Sequence, residues 1–192
     1  MTDLLSKPCT AFAGSRRIAG GALADVALKV SAAQKRDPAA SILVFDDATG
    51  RVIDLDLRGT NAEIVARLAV RAEADAPARG RGRPKLGVVA REVTLLPRHW
   101  DWLATQPGGA SQALRRLIDE ARKADGGRSR RRLAQEVAYR FMSAMAGNLP
   151  GFEEASRALF AGDDDRFAQQ IAAWPADIRA YASKLAKGSD SD

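Results

Sequence analysis

Hydrophobic spacing in the first 70 residues predicts a small α/β unit with the order β-α-β-β-α. The segment TAFAGSRRIAGG, at residues 10–21, has the composition of a strand and a turn. Residues 41–59 fit a hairpin that turns at Asp47-Ala48-Thr49-Gly50. Between them, apolar side chains recur at helical spacing at Leu23, Val26, Ala27 and Val30.

The second half of that hairpin alternates strictly, which predicts a strand with one buried face. Its inward set is Ile53, Leu55 and Leu57, and its outward set is Val52, Asp54 and Asp56. Asn61 then fits the N-cap of a helix. The inward residues of that helix are Ile64, Val65 and Leu68.

Beyond residue 128 the spacing is helical to the end, which predicts a helical region over 129–187. Its first helix places apolar residues four apart, at Leu133, Val137, Phe141 and Met145. Pro150-Gly151 interrupts the pattern, and three short helices follow in GFEEASRALFAG, DDDRFAQQIAAW and PADIRAYASKLA. The acidic run Asp163 to Asp165 is typical of helix caps rather than metal ligands.

Residues 71–87 have no periodicity and are rich in Pro and Gly, which predicts a linker. The distribution of charge sets the middle of the chain, residues 77–135, apart from both ends. Residues 1–76 carry ten basic and ten acidic side chains, residues 77–135 fourteen and five, and residues 136–192 six and nine. A polyanion would therefore bind the middle, since clustered Lys and Arg supply most sequence-independent affinity for nucleic acid. The alternative is a solvated basic surface.

Residues 88–125 combine a strand, a helix, a glycine turn and a second helix. Pro97 fits the first turn of the first helix, whose inner face would be Trp100, Leu103 and Ala104. Ser111 fits the N-cap of the second helix. The inner face of that helix would be Ala110, Leu114, Leu117, Ile118 and Ala121. This order resembles the ribbon-helix-helix DNA-binding fold.

The resemblance implies a homodimer, because two chains must pair their strands to build the ribbon that enters the major groove. Its outer face would present Arg91, Glu92 and Thr94, with Val93 and Leu95 inward. The amides near Gly109 to Gln112, Ser111 among them, would grip a phosphate, and Arg98 is a further candidate DNA contact. Glu92 argues against this interpretation, since phosphates disfavour an acid. The alternative is a helical hairpin that binds no DNA.

The sequence Arg81-Gly82-Arg83-Pro84 matches the core of an AT-hook. In such a motif glycine permits close approach, proline keeps the chain extended, and the narrow minor groove of AT-rich DNA attracts both guanidinium groups. The candidate contacts are Arg79, Arg81, Gly82, Arg83 and Lys85. The alternative is an ordinary linker in a chain rich in Arg and Gly.

Four longer segments carry a second resemblance. They are TAFAGSRRIAGG, ILVFDDATGRVIDLDLRGT, GRGRPKLGVVAREVTLLPRHWDWLATQPGGASQALRRLIDEAR and FAGDDDRFAQQIAAWPADIRAYASKLA. Together they resemble an uncharacterised bacterial family, domain of unknown function 2239, over nearly the whole length. The resemblance implies membership and brings no activity with it.

Side chains suited to catalysis are scarce. Cys9 is the only cysteine, so no disulfide within the chain is possible, and His99 is the only histidine. No Ser/His/Asp or Cys/His set is evident, and solvation of the hairpin explains Asp46 and Asp47 better than a Mg²⁺ site does. We therefore predict no catalytic residue, metal site or cofactor. The absence of a signal peptide or long apolar run predicts a cytoplasmic protein without a membrane segment.

Taken together, the sequence predicts an α+β protein with an α/β unit over 1–70, a basic linker over 71–87, a ribbon-helix-helix-like unit over 88–125 and helices over 129–187. The expected function is that of a dimeric DNA-binding protein, either a transcriptional regulator or a nucleoid-associated protein. The alternative is a protein-interaction module without a DNA role. The apolar residues of the C-terminal helices are expected in the core of the protein rather than in a groove for a partner: Phe141, Met142, Met145, Phe152, Phe160, Phe167 and Trp174.

Overall fold

A computed structural model describes residues 4–74 and 91–188, which form a three-stranded antiparallel sheet and eight α-helices. The α+β class is thereby confirmed. The chain divides into two compact units: unit 1, which contains Met1–Ala76 and Arg130–Asp192, and unit 2, which contains Pro77–Ser129. The AT-hook-like residues Arg79, Arg81, Gly82, Arg83 and Lys85 lie outside the described residues.

The elements alternate between strands and helices only near the N-terminus. The strands are β1 (Pro8–Ala13), β2 (Arg16–Ala22) and β3 (Ile42–Asp46), in the order β2-β1-β3. The helices are α1 (Leu23–Arg36), α2 (Asn61–Ala74), α3 (Pro97–Ala104), α4 (Gly109–Asp125), α5 (Arg128–Ala146), α6 (Phe152–Ala161), α7 (Asp164–Gln170) and α8 (Ala176–Lys187).

The order of the N-terminal elements differs from the predicted β-α-β-β-α. TAFAGSRRIAGG contributes to two strands, β1 and β2, rather than one strand and a turn. Gly14 adopts φ 55° between them, a left-handed conformation that glycine reaches without a steric cost. A tight hairpin therefore forms where the sequence indicated only a turn.

The predicted return strand after Gly50 is reduced to one isolated bridge, between Phe45 and Val52. Its alternation is nevertheless confirmed, since Ile53, Leu55 and Leu57 pack against the core while the residues between them are exposed. The Asp56 carbonyl accepts a hydrogen bond from the Arg67 side chain of α2 at 3.0 Å. A helix side chain thus binds a carbonyl in the predicted return strand.

The sheet of unit 1 is covered by helices on both faces. Alternation along β1 directs Cys9 and Ala11 toward α1 and α2, and Phe12 toward the C-terminal helices. On that second face the Phe141 ring centroid lies 5.4 Å from Phe12, 4.9 Å from Phe45 and 4.7 Å from Tyr181. The segments 1–70 and 129–187, which were predicted as separate regions, thus share one aromatic cluster.

The C-terminal helices follow the predicted breaks. The break at Pro150-Gly151 is confirmed, and Asp163 caps α7 by accepting the Arg166 N–H at 3.0 Å. Leu133 and Phe160 were predicted to be inward, but they are 56% and 50% exposed. In α5 the buried face runs through Ala134, Val137, Ala138, Phe141 and Met142, which leaves Leu133 outside it.

The N-cap of α2 also differs from the prediction. Thr60, not Asn61, precedes the helix, and its Oγ1 accepts the Glu63 N–H at 3.4 Å. Glu63 accepts the Thr60 N–H in return at 2.7 Å, which completes a capping box. The Thr-x-x-Glu spacing is visible in the sequence and could have identified this cap.

Candidate nucleic-acid interface

Unit 2 contains a helical hairpin in which α3 and α4 are joined at Gly108 and Gly109. Pro97 is the first residue of α3, as predicted. Gly108 caps α4 with φ 79°, and a Cβ atom built there would lie 1.7 Å from the Gln112 side chain. Only glycine fits this turn without displacing that side chain.

The prediction that Ser111 is the N-cap of α4 is wrong. The α4 helix begins at Gly109, which places Ser111 two residues inside its first turn, where its side chain is exposed. The left-handed Gly108 replaces a side-chain cap at this end. Amides of a first helical turn have no acceptor within the helix, so the Ser111 N–H remains a candidate phosphate contact.

Large apolar side chains of unit 2 remain exposed. Among its described residues only Leu103 and Ala113 are buried. The exposed set contains Val93 at 55%, Leu96 at 49%, Trp100 at 43%, Trp102 at 48%, Leu117 at 37% and Ile118 at 56%. Four of them, Val93, Trp100, Leu117 and Ile118, were predicted to face inward. The described part of unit 2 is a hairpin of two helices, which has no further layer to cover them.

The segment 91–96, which holds most of the predicted ribbon strand, has no regular secondary structure. Leu96 is extended, with φ −66° and ψ 149°. Arg91, Glu92 and Thr94 are exposed, as an outer face of a ribbon would require. Because pairing would come from a second chain, the ribbon stays a prediction.

Most basic side chains of the hairpin are free of ion pairs with the residues that the structure describes. This set contains Arg91, Arg98, Arg115, Arg122 and Lys123, all of them exposed. Only Arg116 pairs within α4, with Glu120 at 3.9 Å. The free acids of the same region are Glu92, Asp101 and Asp119, so the free cations outnumber them.

A second polar cluster, in unit 1, was missed by the sequence analysis. Asp46 is 2% exposed rather than solvated, and its carboxylate binds the Lys7 ammonium at 2.8 Å. Burial raises the pKa of Asp46, but hydrogen bonds from Lys7, Thr49 and the Ala48 N–H lower it below its ordinary value overall. Asp46 is therefore an ionised, internally paired residue.

Asp47 joins the end of β3 to α8. Its Oδ1 accepts the Thr10 hydroxyl at 2.8 Å and the Tyr181 hydroxyl at 2.7 Å, while its Oδ2 binds Lys184 at 3.0 Å. The spacing of Tyr181 and Lys184 places them on one face of α8, which is a signal that the sequence contained. The carboxylate is fully used in stabilising the packing of unit 1. Among the described residues no cluster of three potential metal ligands occurs.

None of the helices in the described ranges is long and apolar enough to span a bilayer.

Comparison with known proteins gives a family and nothing narrower. The model of a family described as an uncharacterized protein conserved in bacteria, domain of unknown function 2239, matches residues 8–186. No curated protein and no solved structure matches the chain.

Proposed function

We propose that this chain, which belongs to that uncharacterised bacterial family, is a DNA-binding protein that acts as a transcriptional regulator or a nucleoid-associated protein. The observation that carries the proposal is the set of exposed, unpaired cations on unit 2, in a segment that holds all of the excess positive charge of the chain. The phosphates of DNA would serve as the anionic partners that these side chains lack.

The proposed DNA-binding form is a homodimer. Exposed apolar residues on one small unit, including Trp100 and Ile118, are typical of a protein–protein interface. A second copy that pairs residues 88–96 would bury Val93 and Leu95 beneath a two-stranded ribbon. Arg91 and Thr94 would then face the major groove, and Arg98 and the Ser111 amide would contact phosphates.

The linker supplies a second contact in this proposal. Arg81 and Arg83 would enter the minor groove of AT-rich DNA, with Gly82 allowing close approach and Arg79 and Lys85 adding phosphate contacts. Residues 79–85 therefore increase affinity for AT-rich duplexes over GC-rich ones.

Fluorescence anisotropy with random and AT-rich duplexes across a salt series tests both regions. Replacing Arg91 and Arg98 by Ala removes two positive charges from the proposed interface. The slope of log affinity against log salt should then fall by about 0.9 for each phosphate that is no longer neutralised. Replacing Arg81 and Arg83 by Ala should weaken AT-rich binding by about tenfold and random-duplex binding less.

The matched control is the pair Arg16→Ala and Lys29→Ala, which removes the same charge from exposed positions of unit 1. An identical loss of affinity in this control would reduce the interaction to net charge. Unchanged slopes in the unit 2 variant would contradict the proposed interface.

One observation favours the alternative, a protein-interaction module. Tyr139 and Phe160 are 39% and 50% exposed, and with Phe152 they line an open cleft of about 500 Å³ in unit 1. Binding of a protein through such rings depends weakly on salt. If the chain shows no DNA binding even at low salt, this alternative replaces the first proposal.

A further inference from the structure

A cleft of about 490 Å³ lies in unit 1, between the last turns of α1 and the segment 55–58. We propose that it binds a small organic anion, meaning a carboxylate or phosphate attached to a short apolar group. The residues that support this are Ser31, Gln34, Lys35, Leu55, Leu57 and Arg58, which line the cleft. Its volume is typical of small-molecule sites. This site goes beyond the proposed DNA binding and does not depend on it.

Ser31 provides the first argument. The residue is 2% exposed, and its hydroxyl makes no hydrogen bond with any residue that the structure describes. Within a helix, a serine hydroxyl commonly bonds the carbonyl four residues earlier, which here belongs to Ala27. A buried hydroxyl without that bond is destabilising, and because its oxygen is closed to solvent, a ligand oxygen in the cleft would supply the missing partner after rotation of the Ser31 side chain toward it.

The remaining polar groups determine the charge of the ligand. Lys35 and Gln34 are exposed, and their side chains have no ion pair or hydrogen bond with the described part of the chain. The lining carboxylate, Asp56, is already occupied, because Arg58 donates to its two oxygens at 2.9 and 2.7 Å. The one charged lining group left over is the Lys35 ammonium, which can only donate, so the cleft favours an anion over an amine, and Gln34 and Ser31 can each add a donor.

Arg67 adds a further positive charge next to Asp56. Arg67 Nε lies 3.4 Å from Asp56 Oδ2, close enough for an ion pair but not aligned for a hydrogen bond. Its N–H is therefore a second buried donor without an acceptor among the described residues. Hydrogen bonds from Arg58 lower the pKa of Asp56, so this carboxylate stays ionised and paired. The three positive charges of Lys35, Arg58 and Arg67 exceed the two negative charges of Asp56 and of Glu63, which also interacts with Arg67.

The apolar part of the ligand is indicated by Leu55 and Leu57. Both line the cleft while remaining only partly buried against the core. A short hydrocarbon chain or a single ring placed on them would leave its acidic group near Lys35. The ligand class is therefore amphipathic, with one anionic end.

Binding should be measured on the full chain by amide chemical shifts and calorimetry, with hexanoate and hexyl phosphate as anionic probes. Hexanol and hexylammonium serve as neutral and cationic controls. We expect shifts at residues 31–35 and 55–58 with the anionic probes, and affinity about tenfold weaker for the two controls. The stronger of the two anionic probes identifies the head group. Equal binding of all four probes, or no shift with either anion, would overturn the proposal.

Two variants separate a ligand site from a structural role. Lys35→Ala should weaken probe binding by about tenfold, whereas Lys29→Ala, on another face of α1, should not change it. A Lys35 that merely offsets the helix dipole would lower the melting temperature and leave binding unchanged. Ser31→Ala should weaken binding without lowering the melting temperature of the free protein, since it removes an unpaired buried hydroxyl. A lowered melting temperature with unchanged binding would contradict the role of Ser31.

Discussion

The two units of this protein differ in how much of their apolar surface they bury. In unit 1, Phe12, Phe45, Phe141 and Tyr181 form one buried aromatic cluster between the sheet and the C-terminal helices. In unit 2, the described residues bury only Leu103 and Ala113. A unit that leaves its largest apolar residues exposed gains stability when another surface covers them.

Ion pairing separates the two units less sharply. In unit 1, basic side chains such as Lys7, Arg58 and Lys184 are paired with carboxylates of the same unit. In unit 2, Arg91 and Arg115 have no ion pair with the described residues. Unit 1 also leaves cations of α1 without an ion pair among the described residues, so unit 2 differs in that its free cations occur together with a largely exposed set of apolar residues.

Truncating a ring in each unit should produce the largest difference. Phe141→Ala removes the centre of the aromatic cluster and should lower the free energy of unfolding by about 3–5 kcal/mol. Trp100→Ala removes a ring that is 43% exposed and should cost under about 1 kcal/mol in the monomer. Urea unfolding followed by circular dichroism at low protein concentration measures both. Similar losses for the two variants would remove the contrast between the units.

The polar counterpart of that test is Asp47→Ala. It removes the acceptor of the Thr10 and Tyr181 hydroxyls and the partner of Lys184, and should cost about 2 kcal/mol because buried donors lose their acceptor. Asp54→Ala, on the exposed side of the alternating segment, is the control and should change stability little. Equal effects would show that Asp47 is as dispensable as a solvated carboxylate.

Local features of the fold could be predicted from the sequence. The helical period identified the buried face of α1, at Leu23, Val26, Ala27 and Val30, and Asp163 was recognised as a cap. Pairing between distant segments could not be predicted. Asp47 meets Tyr181 across more than a hundred residues and also binds Thr10, and no period in the sequence encodes those contacts.

The candidate interface shows a different limit. The apolar spacing of Trp100, Leu117 and Ile118 is that of an inner helix face, and the sequence predicted it as such. Helical spacing indicates that a face will be covered, but not whether the same chain or another molecule covers it. The spacing could therefore not predict that these residues are exposed in the single chain.

Self-association can be tested with two residues of equal exposure. Ile118 in unit 2 and Leu133 in unit 1 are each 56% exposed. In the proposed dimer, Ile118→Asp places a charge in a buried interface and should weaken the dimer by about tenfold or more, while Leu133→Asp should not. Sedimentation velocity over a concentration series measures the dissociation constant. A wild-type chain that stays monomeric, or equal weakening by both substitutions, would contradict a dimer through unit 2.

The smallest expected effect comes from the thiol that unit 1 buries. Burial raises the pKa of Cys9 to about 12, with a further contribution from the Asp46 and Asp47 carboxylates and an opposing one from Lys7. The thiol of the unfolded chain ionises near pH 8.5 to 9, so rising pH removes its proton before that of the folded chain. The free energy of unfolding therefore falls from about pH 8.5 up to the folded pKa of about 12.

The loss should amount to about 1 kcal/mol between pH 8 and 9.5 for a single group, and nothing below that window. Cys9→Ala lacks the thiol, so its stability should be less dependent on pH there, whatever its absolute stability. Urea unfolding at closely spaced pH values gives both slopes. Parallel slopes in the wild type and the variant would show that the Cys9 thiol is not held protonated by the packing of unit 1.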